Sequence, residues 1–335
     1  MLRFSTDDLA SNDRFDQWRE IRGKGLMGVT IEAPQERRHQ FRGTFRASQT
    51  GPALAVEMAA SAYSVSRTEA DIARVAGDSL CISLQVKGPG QLDTGGNRID
   101  QVQNGDVGLS YSDLPYRGTP HGVEDFHFQM LKIPVDNEIL LGQSVHDLHY
   151  TRHGAEMSFA RPLRALFKVL NAEISTVADP HLEIAHIARL AMVVRDRLTP
   201  GMPEVRAAVR SGLRYAAEEI IARDKHKQTL SPTRVARELG ISVRQLHVVF
   251  ESAERTFART LAQMRIAEAR RVLRELPTLP VTQVALACGF DSLATFYRLF
   301  NAACGMAPGE FRAAFRPERS ALGGFHQKKS TKLLG

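Results

Sequence analysis

Arginine, hydroxyl and amide side chains gather in two short stretches of the C-terminal third, each just after a glycine. Arginine can pair with guanine through two hydrogen bonds or hold a phosphate, and valine can contact the methyl group of thymine. These residue types suit contact with the edges of DNA base pairs. The residues that we expect to make such contacts are Ser242, Arg244, Gln245, His247 and Val248 in the first stretch, and Ser292, Leu293, Ala294, Thr295, Tyr297 and Arg298 in the second.

The spacing around the first glycine predicts two helices that cross at a tight turn. Ala236 lies four residues before Gly240 and lets the helices approach closely, and Leu246 lies six residues after it and closes the core between them. Gly240 can take the positive φ that the turn requires. Ser242 and Gln245 form a capping box, which starts a new helix at the turn. The pattern is that of a helix-turn-helix unit.

The same pattern occurs a second time, with Ala285 four residues before Gly289 and Phe296 seven residues after it. Between the two units, Phe257–Leu276 predicts one long helix of about 30 Å. Openings of the major groove on one face of DNA lie about 34 Å apart. A connector of this length could therefore place two reading helices in adjacent major grooves.

The positive charge is concentrated in the same region. Residues 205–335 contain 22 Lys and Arg against 11 Asp and Glu, a net charge of +11, whereas residues 1–204 carry −4. A basic surface attracts phosphates and releases their counterions, so this asymmetry favours a polyanionic partner. For the charge taken alone, a solvated basic surface or a flexible tail is the alternative.

The N-terminal part has the short, alternating pattern of β-strands. Leu80–Val86 places an apolar residue at every second position, as a half-buried strand does, and a further strand from Phe126 stops at Pro134. Turn residues recur at intervals of roughly 8–12 residues, as in antiparallel sandwiches and barrels. After Gly154 the pattern becomes helical. We therefore expect an α+β protein, with an N-terminal jelly-roll or cupin-like β-barrel and helical hairpin followed by an all-α double helix-turn-helix domain.

The pattern predicts five parts along the chain. They are a β-rich effector-binding domain (1–154), a helical hairpin (155–198), a linker (199–206), the double helix-turn-helix domain (207–316) and a disordered basic tail (317–335). The apolar face of the second hairpin helix, Leu182 to Val194, is wide. It packs within its own domain or, as the competing interpretation, forms the interface of a homodimer.

Four motifs follow one another between Leu230 and Arg312. They are Ser242-x-Arg244-x-Leu246 with Phe250, Arg265-x-x-x-Ala269-x-x-x-Leu273, Val284-Ala285-x-x-x-Gly289-Phe290-x-Ser292, and Phe300-x-x-x-x-Gly305-x-x-Pro308-x-x-Phe311-Arg312. On these residues the segment resembles the DNA-binding domain of the AraC/XylS family of bacterial transcription regulators. The resemblance implies seven helices with two DNA-reading heads, binding to double-stranded promoter DNA, and RNA polymerase as a partner.

The reading positions depart from the family in their chemistry. His247 and Val248 replace the Gln and Arg of many relatives, which reduces base hydrogen bonding by the first reading helix. Leu293 and Ala294 stand where relatives often place polar residues, which favours apolar contacts or readout of DNA shape. Arg244 and Arg298 are therefore the residues on which we expect sequence reading to depend most.

The N-terminal half carries weaker motifs, Arg14-Phe15-x-x-Trp18-Arg19-Glu20, Ser66-Arg67-Thr68, Gly105-Asp106 and Pro115-Tyr116. On these residues it is similar to the effector-binding domain of a subset of the same family, whose members often sense small aromatic acids or amines. An arginine inside a barrel would pair with a carboxylate effector. The expected pocket residues are Trp18, Tyr63, Arg67, Tyr116 and His121, each with packing or a surface position as the alternative.

The composition excludes several classes of protein. The three cysteines include no Cys-x-x-Cys pair, which excludes a disulfide scaffold and a zinc-finger cage and suits a reducing compartment. No run approaches the ~18 apolar residues of a membrane span, and Met1–Ala10 has no hydrophobic signal core. We therefore expect a cytoplasmic protein that binds no cofactor and does not interact with membranes.

Two other functions compete with a ligand-responsive DNA-binding regulator. Jelly-roll barrels also house metal-dependent oxygenases, which need several histidines and an acid in one mouth. His121 and His127 are six residues apart, but no His-x-His or accompanying set of His and Glu appears. A DNA-alkylation repair sensor would need an N-terminal cluster of zinc-binding cysteines, where only Cys81 occurs. We expect no metal site and no enzymatic activity.

Overall fold

The computed structural model describes residues 1–122, 125–154, 159–173, 177–251 and 255–315, so the predicted tail at 317–335 lies outside the described residues. The chain divides into two units. The first unit contains residues 1–220 together with 232–254, and the second contains 221–231 together with the chain from Arg255 onward. The first reading segment therefore belongs to the first unit and the second reading segment to the second.

Antiparallel strands dominate the N-terminal part of the first unit. They are β1 (Leu2–Ser5), β2 (Thr30–Glu32), β3 (Gly43–Thr50), β4 (Ala53–Ala60), β5 (Ser64–Arg67), β6 (Ser79–Lys87), β7 (Gly90–Asp93), β8 (Ile99–Val102), β9 (Val107–Tyr111), β10 (Tyr116–Pro120), β11 (Phe126–Pro134) and β12 (Thr151–His153). One sheet has the order β1-β3-β4-β11-β6-β9-β12, and the other β2-β5-β10-β7-β8. The expected α+β class, with a sheet-rich N-terminal region and a helical C-terminal region, is confirmed.

The helices of the two units follow the expected order. They are α1 (Arg14–Trp18), which continues as a π-helical segment (Arg19–Met27), α2 (Gln35–Arg38), α3 (Glu69–Arg74), α4 (Ala160–Leu170), α5 (Pro180–Val194), α6 (Pro203–Asp224), α7 (Pro232–Leu239), α8 (Val243–Glu251), α9 (Phe257–Glu275), α10 (Val281–Ala287), α11 (Leu293–Cys304) and α12 (Pro308–Ala314). In the described residues, α6–α12 supply the seven helices that the family resemblance implied.

Within the seven-stranded sheet, strand β6 is buried on both faces over Ser79–Leu84. Leu80, Ile82 and Leu84 belong to a core that they share with the helices of the first unit. Cys81 and Ser83, at the alternate positions, are also buried and face the space between the two sheets. The alternating sequence predicted a half-buried strand, because small and polar residues at every second position are typical of a solvated face. Here the second sheet covers that face.

The wide apolar face of α5 lies inside the first unit. Ile184, Ile187, Leu190 and Met192 are fully buried in one core with residues of α4, of α6 and of the seven-stranded sheet. The chain itself therefore uses the surface that the sequence offered as a dimer interface, and Leu182 is the large apolar side chain of α5 that stays exposed.

The expected linker at 199–206 is shorter in the structure. Helix α6 begins at Pro203, a residue that the first turn of a helix accepts because its missing N–H needs no partner there. Val205 is already fully buried in the core of the first unit. Ala208, at the start of the expected double helix-turn-helix domain, is fully buried in the same core, which also contains residues of the seven-stranded sheet.

The second unit has its own core, in which the turn at Gly289 is tightly enclosed. Ala285, Phe296 and Phe300 pack in this core against residues of α9 and α12. Gly289 has a φ of +86°, and a Cβ atom there would lie 2.3 Å from the carbonyl oxygen of Lys225. Gly240, in the first helix-turn-helix unit, has a φ of +68° with no atom within 4 Å of such a Cβ.

Substitution of these two glycines by alanine should lower the free energy of unfolding by different amounts. Gly240→Ala meets only the cost of a left-handed backbone, about 1–2 kcal/mol, whereas Gly289→Ala adds a collision with backbone, for a total of about 3 kcal/mol or more. Urea denaturation of the two purified variants and of the unchanged chain measures both free energies of unfolding. Equal losses in the two variants would contradict the structural difference between the turns.

Candidate nucleic-acid interface and effector cavity

The first reading helix, α8, is built on a closed turn. Ser242 Oγ accepts a hydrogen bond from the backbone N–H of Gln245 at 3.1 Å, and Gln245 Oε1 accepts one from the N–H of Ser242 at 2.9 Å. The predicted capping box is thereby confirmed. Helix α8 buries Leu246 against the interior, which leaves the opposite face exposed. Exposed on that face are Arg244, Gln245, His247 and Val248.

The second reading helix, α11, repeats this construction in the second unit. Ser292 Oγ caps it by accepting a hydrogen bond from the N–H of Thr295 at 3.3 Å. Phe296 and Phe300 are fully buried, and Phe296 packs edge-on against Phe290 at 5.1 Å between ring centroids. The outward residues are Leu293, Ala294, Tyr297 and Arg298, with Thr295 half-buried.

Three large apolar side chains stand on the outward faces of these two helices. Val248 is 43% exposed, Leu293 41% and Tyr297 43%. Burying such side chains against a partner is favourable, and thymine methyl groups in the major groove are an apolar partner of the right size. The exposed faces therefore combine arginine with apolar groups.

Arg265, the first residue of the connector motif, has a structural role in the second unit. Its Nε donates to the carbonyl oxygen of Lys225 at 2.8 Å and its Nη2 to that of Lys227 at 3.0 Å. Its guanidinium also lies over the ring of Phe290, 5.7 Å from the centroid. Arg265 thus ties α9 to the segment that encloses Gly289.

A cavity of about 220 Å³ lies between the two sheets of the first unit. Of the expected pocket residues, Tyr63, Arg67 and Tyr116 line it. Trp18 lies outside this lining, fully buried in the neighbouring aromatic core, and His121 is exposed at the surface. The structure therefore brings three of the five expected residues together.

Arg67 uses its donors on the protein itself. Nε donates to the carbonyl oxygen of Ser112 at 2.8 Å, Nη1 to that of Gly28 at 2.6 Å, and Nη2 to that of Val75 at 2.8 Å. Nη2 also forms an ion pair with Asp113 at 2.6 Å. With its charge neutralised and its donors occupied, Arg67 holds the wall of the cavity together.

The pKa of Asp113 reports the same arrangement. Burial alone raises it, but hydrogen bonds from the backbone N–H of Asp78, from Arg67 and from the N–H of Gly77 lower the pKa below its ordinary value. The stabilisation from this carboxylate is therefore complete above the ordinary pKa of an aspartate, about 4, and is lost as the pH falls below it.

Arg22 lines the cavity and was missed from the sequence. It is buried, and its Nε and Nη1 have no hydrogen-bond partner among the described residues. Its Nη2 contacts the thioether sulfur of Met58 at 2.8 Å, which is a weak acceptor. The sequence did contain a signal: Phe15, Trp18 and Arg22 recur at helical spacing, which places an arginine on a buried face.

No metal centre is assembled in the described part of the chain, where no three His, Cys, Asp or Glu residues come together. His127, one of the two histidines weighed for such a site, instead lies 2.8 Å from Glu57 Oε1 through its Nε2. The helices of the described part also include none whose length and apolarity would suffice to span a membrane.

Comparison with known proteins agrees with this geometry. Residues 235–314 match the family model described as "Helix-turn-helix domain". The transcriptional activator NphR from a Rhodococcus species is 24% identical over 320 residues, which cover 93% of this chain and 92% of that protein.

Solved structures provide further similarities. The AraC-like transcriptional activator CuxR has 20% identity and a TM-score of 0.43, covering 80% of this chain and 95% of that one. A probable AraC family transcriptional regulator from Rhodopseudomonas palustris has 26% identity and a TM-score of 0.29, covering 30% of this chain and 94% of that one.

Two capped helix pairs with outward arginines, within a matched helix-turn-helix domain, define a DNA-binding protein. The motifs between Leu230 and Arg312 lie almost entirely within the matched residues 235–314 and resemble those of the AraC family of transcription regulators.

Removal of Arg244 should relax base discrimination. We expect Arg244→Ala to cost about 1–3 kcal/mol at one or two base pairs of a site selected from random duplex DNA. Arg237→Ala, an exposed arginine on α7, is the control and should weaken all sequences alike. Gel shifts on matched and mutated sites measure the discrimination. Unchanged selectivity in Arg244→Ala would contradict the assigned role.

Proposed function

We propose that this protein binds promoter DNA with α8 and α11 in adjacent major grooves, and that a small molecule in the cavity between the sheets controls the binding. The observation that carries the proposal is the pair of capped helices, each with an outward face of arginine and apolar side chains. The proposed base contacts are made by Arg244, Gln245, His247 and Val248 in α8 and by Leu293, Ala294, Thr295, Tyr297 and Arg298 in α11.

The N-terminal ends of both helices suit phosphate contact as well. The backbone N–H groups of a first helical turn attract anions, and Ser242 and Ser292 lie at these ends. Phosphate contacts would set the register of each helix in its groove, and the outward side chains would then read the bases. The net charge of +11 over residues 205–335 supports the same partner.

The length of α9 supports readout of two grooves. Its 19 residues correspond to about 28 Å of helix, close to the ~34 Å between groove openings on one face of DNA. One protein molecule would then occupy two half-sites on the same face of the duplex.

We infer the direction of regulation from NphR, whose similarity covers nearly the whole length of both proteins. NphR is described as a transcriptional activator, and its similarity extends over both halves of this chain. We propose activation, with RNA polymerase as the partner at the promoter and the cytoplasm as the compartment. The helix-turn-helix match and the similarity to a transcriptional activator favour a regulator over an enzyme.

Two contacts within the first unit support control of DNA binding by an effector. Arg161 on α4 forms an ion pair with Glu238 on α7 at 2.9 Å between Nη1 and Oε1. Leu239, at the end of α7, packs on the core that contains Leu80 and Ile82 of β6. The first helix-turn-helix unit therefore rests on the same core as the sheet whose other face lines the cavity.

Hydroxyl-radical footprinting on a selected DNA site tests the two-groove arrangement. We expect two protected segments about 10 base pairs apart on one face of the duplex, with Arg244→Ala weakening one segment and Arg298→Ala the other. A single segment that both variants weaken equally would contradict binding by two reading helices.

A further inference from the structure

The cavity between the sheets has a basic lining. It includes three cationic side chains, Arg22, Arg67 and Lys132, and its described lining contains neither Asp nor Glu. Arg67 is neutralised by Asp113, whereas Arg22 and Lys132 form no ion pair within the described residues. Two positive charges beside the cavity are thus left without a counter-charge among the described residues.

Arg22 is the residue of this lining whose hydrogen bonds are incomplete. Its side chain is buried, with 6% of the residue exposed, and two of its three nitrogen atoms lack an acceptor among the described residues. A buried guanidinium without acceptors is costly, and buried charges in proteins are normally paired. The position is therefore expected to receive an anion, and the fork of an arginine matches a carboxylate through two hydrogen bonds.

Two tyrosines of the lining, Tyr63 and Tyr116, interact electrostatically with Arg22 and remain protonated. The guanidinium carbon of Arg22 lies 5.6 Å from the ring centroid of Tyr63. Burial raises the pKa of Tyr63 and raises that of Tyr116 to about 12, and in both cases the positive charge of Arg22 acts against the increase. Both hydroxyls therefore stay neutral at physiological pH and can donate hydrogen bonds, but neither supplies the missing negative charge.

The other lining residues indicate the chemistry of the part of the ligand that does not contact Arg22. Phe126, Phe128 and Met130 supply apolar walls, which favour a flat or aromatic body. The volume of about 220 Å³ exceeds by an order of magnitude the ~10–15 Å³ that a single water molecule needs by this measure, so the cavity has room for a small organic molecule.

We infer that the cavity binds a small organic carboxylate with a flat apolar body, whose carboxylate is held by Arg22. This assignment rests on the proposed function only in that the bound acid is taken to be the effector. It selects the acid from the two effector classes that the sequence left open, since an amine would add a third uncompensated positive charge. It also transfers the role of anion partner from Arg67 to Arg22.

Calorimetric titration of the full chain tests the assignment with matched ligands. The probes are benzoate, phenylacetate and 3-phenylpropanoate, each compared with its amide and with the amine of the same carbon skeleton. We expect at least one acid to bind, and its amide and amine to bind far more weakly. Arg22→Met should lower the affinity for the acid by on the order of 10–100-fold. The control is Arg117→Gln, which changes an exposed arginine outside the cavity lining and should leave the affinity unchanged.

Thermal unfolding without ligand separates a binding role from a structural one. Arg22→Met should keep or raise the melting temperature, because it removes an unpaired buried charge, whereas Arg67→Met should lower it, because it leaves buried carbonyl groups without donors. Binding by none of the three acids, binding by the amines, or retention of acid binding in Arg22→Met would each overturn the assignment. Acid binding that Arg22→Met abolishes supports the site even where footprinting shows no DNA binding, and that second result would overturn only the proposed function.

Discussion

The packing of β6 and β11 between the helices and the second sheet is the constraint on which the first unit depends. Side chains at alternate positions of β6 and β11 have different neighbours: Ile82 and Leu131 pack with the helices, whereas Ser83 and Met130 line the cavity. A strand cannot shift its register by one residue without exchanging these two sets. The cavity and the helical layer therefore lie on opposite faces of β6 and β11, and we call these two strands the wall.

Packing against this wall decides which of the C-terminal helices belong to the first unit. Helices α6 and α7 place Val205 and Leu239 on the helical side of the wall, so the first helix-turn-helix unit is packed with the sheet-rich N-terminal region. The second unit has a separate core around Phe296. A ligand that stabilises one arrangement of the wall would act on the first reading helix through packed side chains, which is the kind of contiguous contact that energetic coupling between sites uses.

The sequence predicted local features of the reading helices better than features that depend on distant partners. The turn at Gly289 and the capping box of Ser242 and Gln245 involve residues a few positions apart, and both are present. The roles of Arg22 and Arg67 could not be separated in this way. Their difference depends on whether carbonyl groups from Gly28, Val75 and Ser112 surround the guanidinium, and these contacts arise only once the sheets are assembled.

The expected half-buried strand at Leu80–Val86 is buried on both faces, and the α5 face packs within its own unit rather than at a dimer surface, the alternative, for the same physical reason. Alternation and amphipathic width measure how apolar a face is, but they do not say which part of the chain covers it. In the structure the second sheet covers Cys81 and Ser83, and the chain's own core covers Ile187.

Hydrogen exchange on the full chain tests most directly whether the wall links the cavity to the first reading helix. It is measured with and without a saturating concentration of the acid that binds most tightly among benzoate, phenylacetate and 3-phenylpropanoate. We expect slower exchange in β6 and β11 and, at the same time, altered exchange in α7 and α8. Protection confined to the strands, with α7 and α8 unchanged, would contradict it.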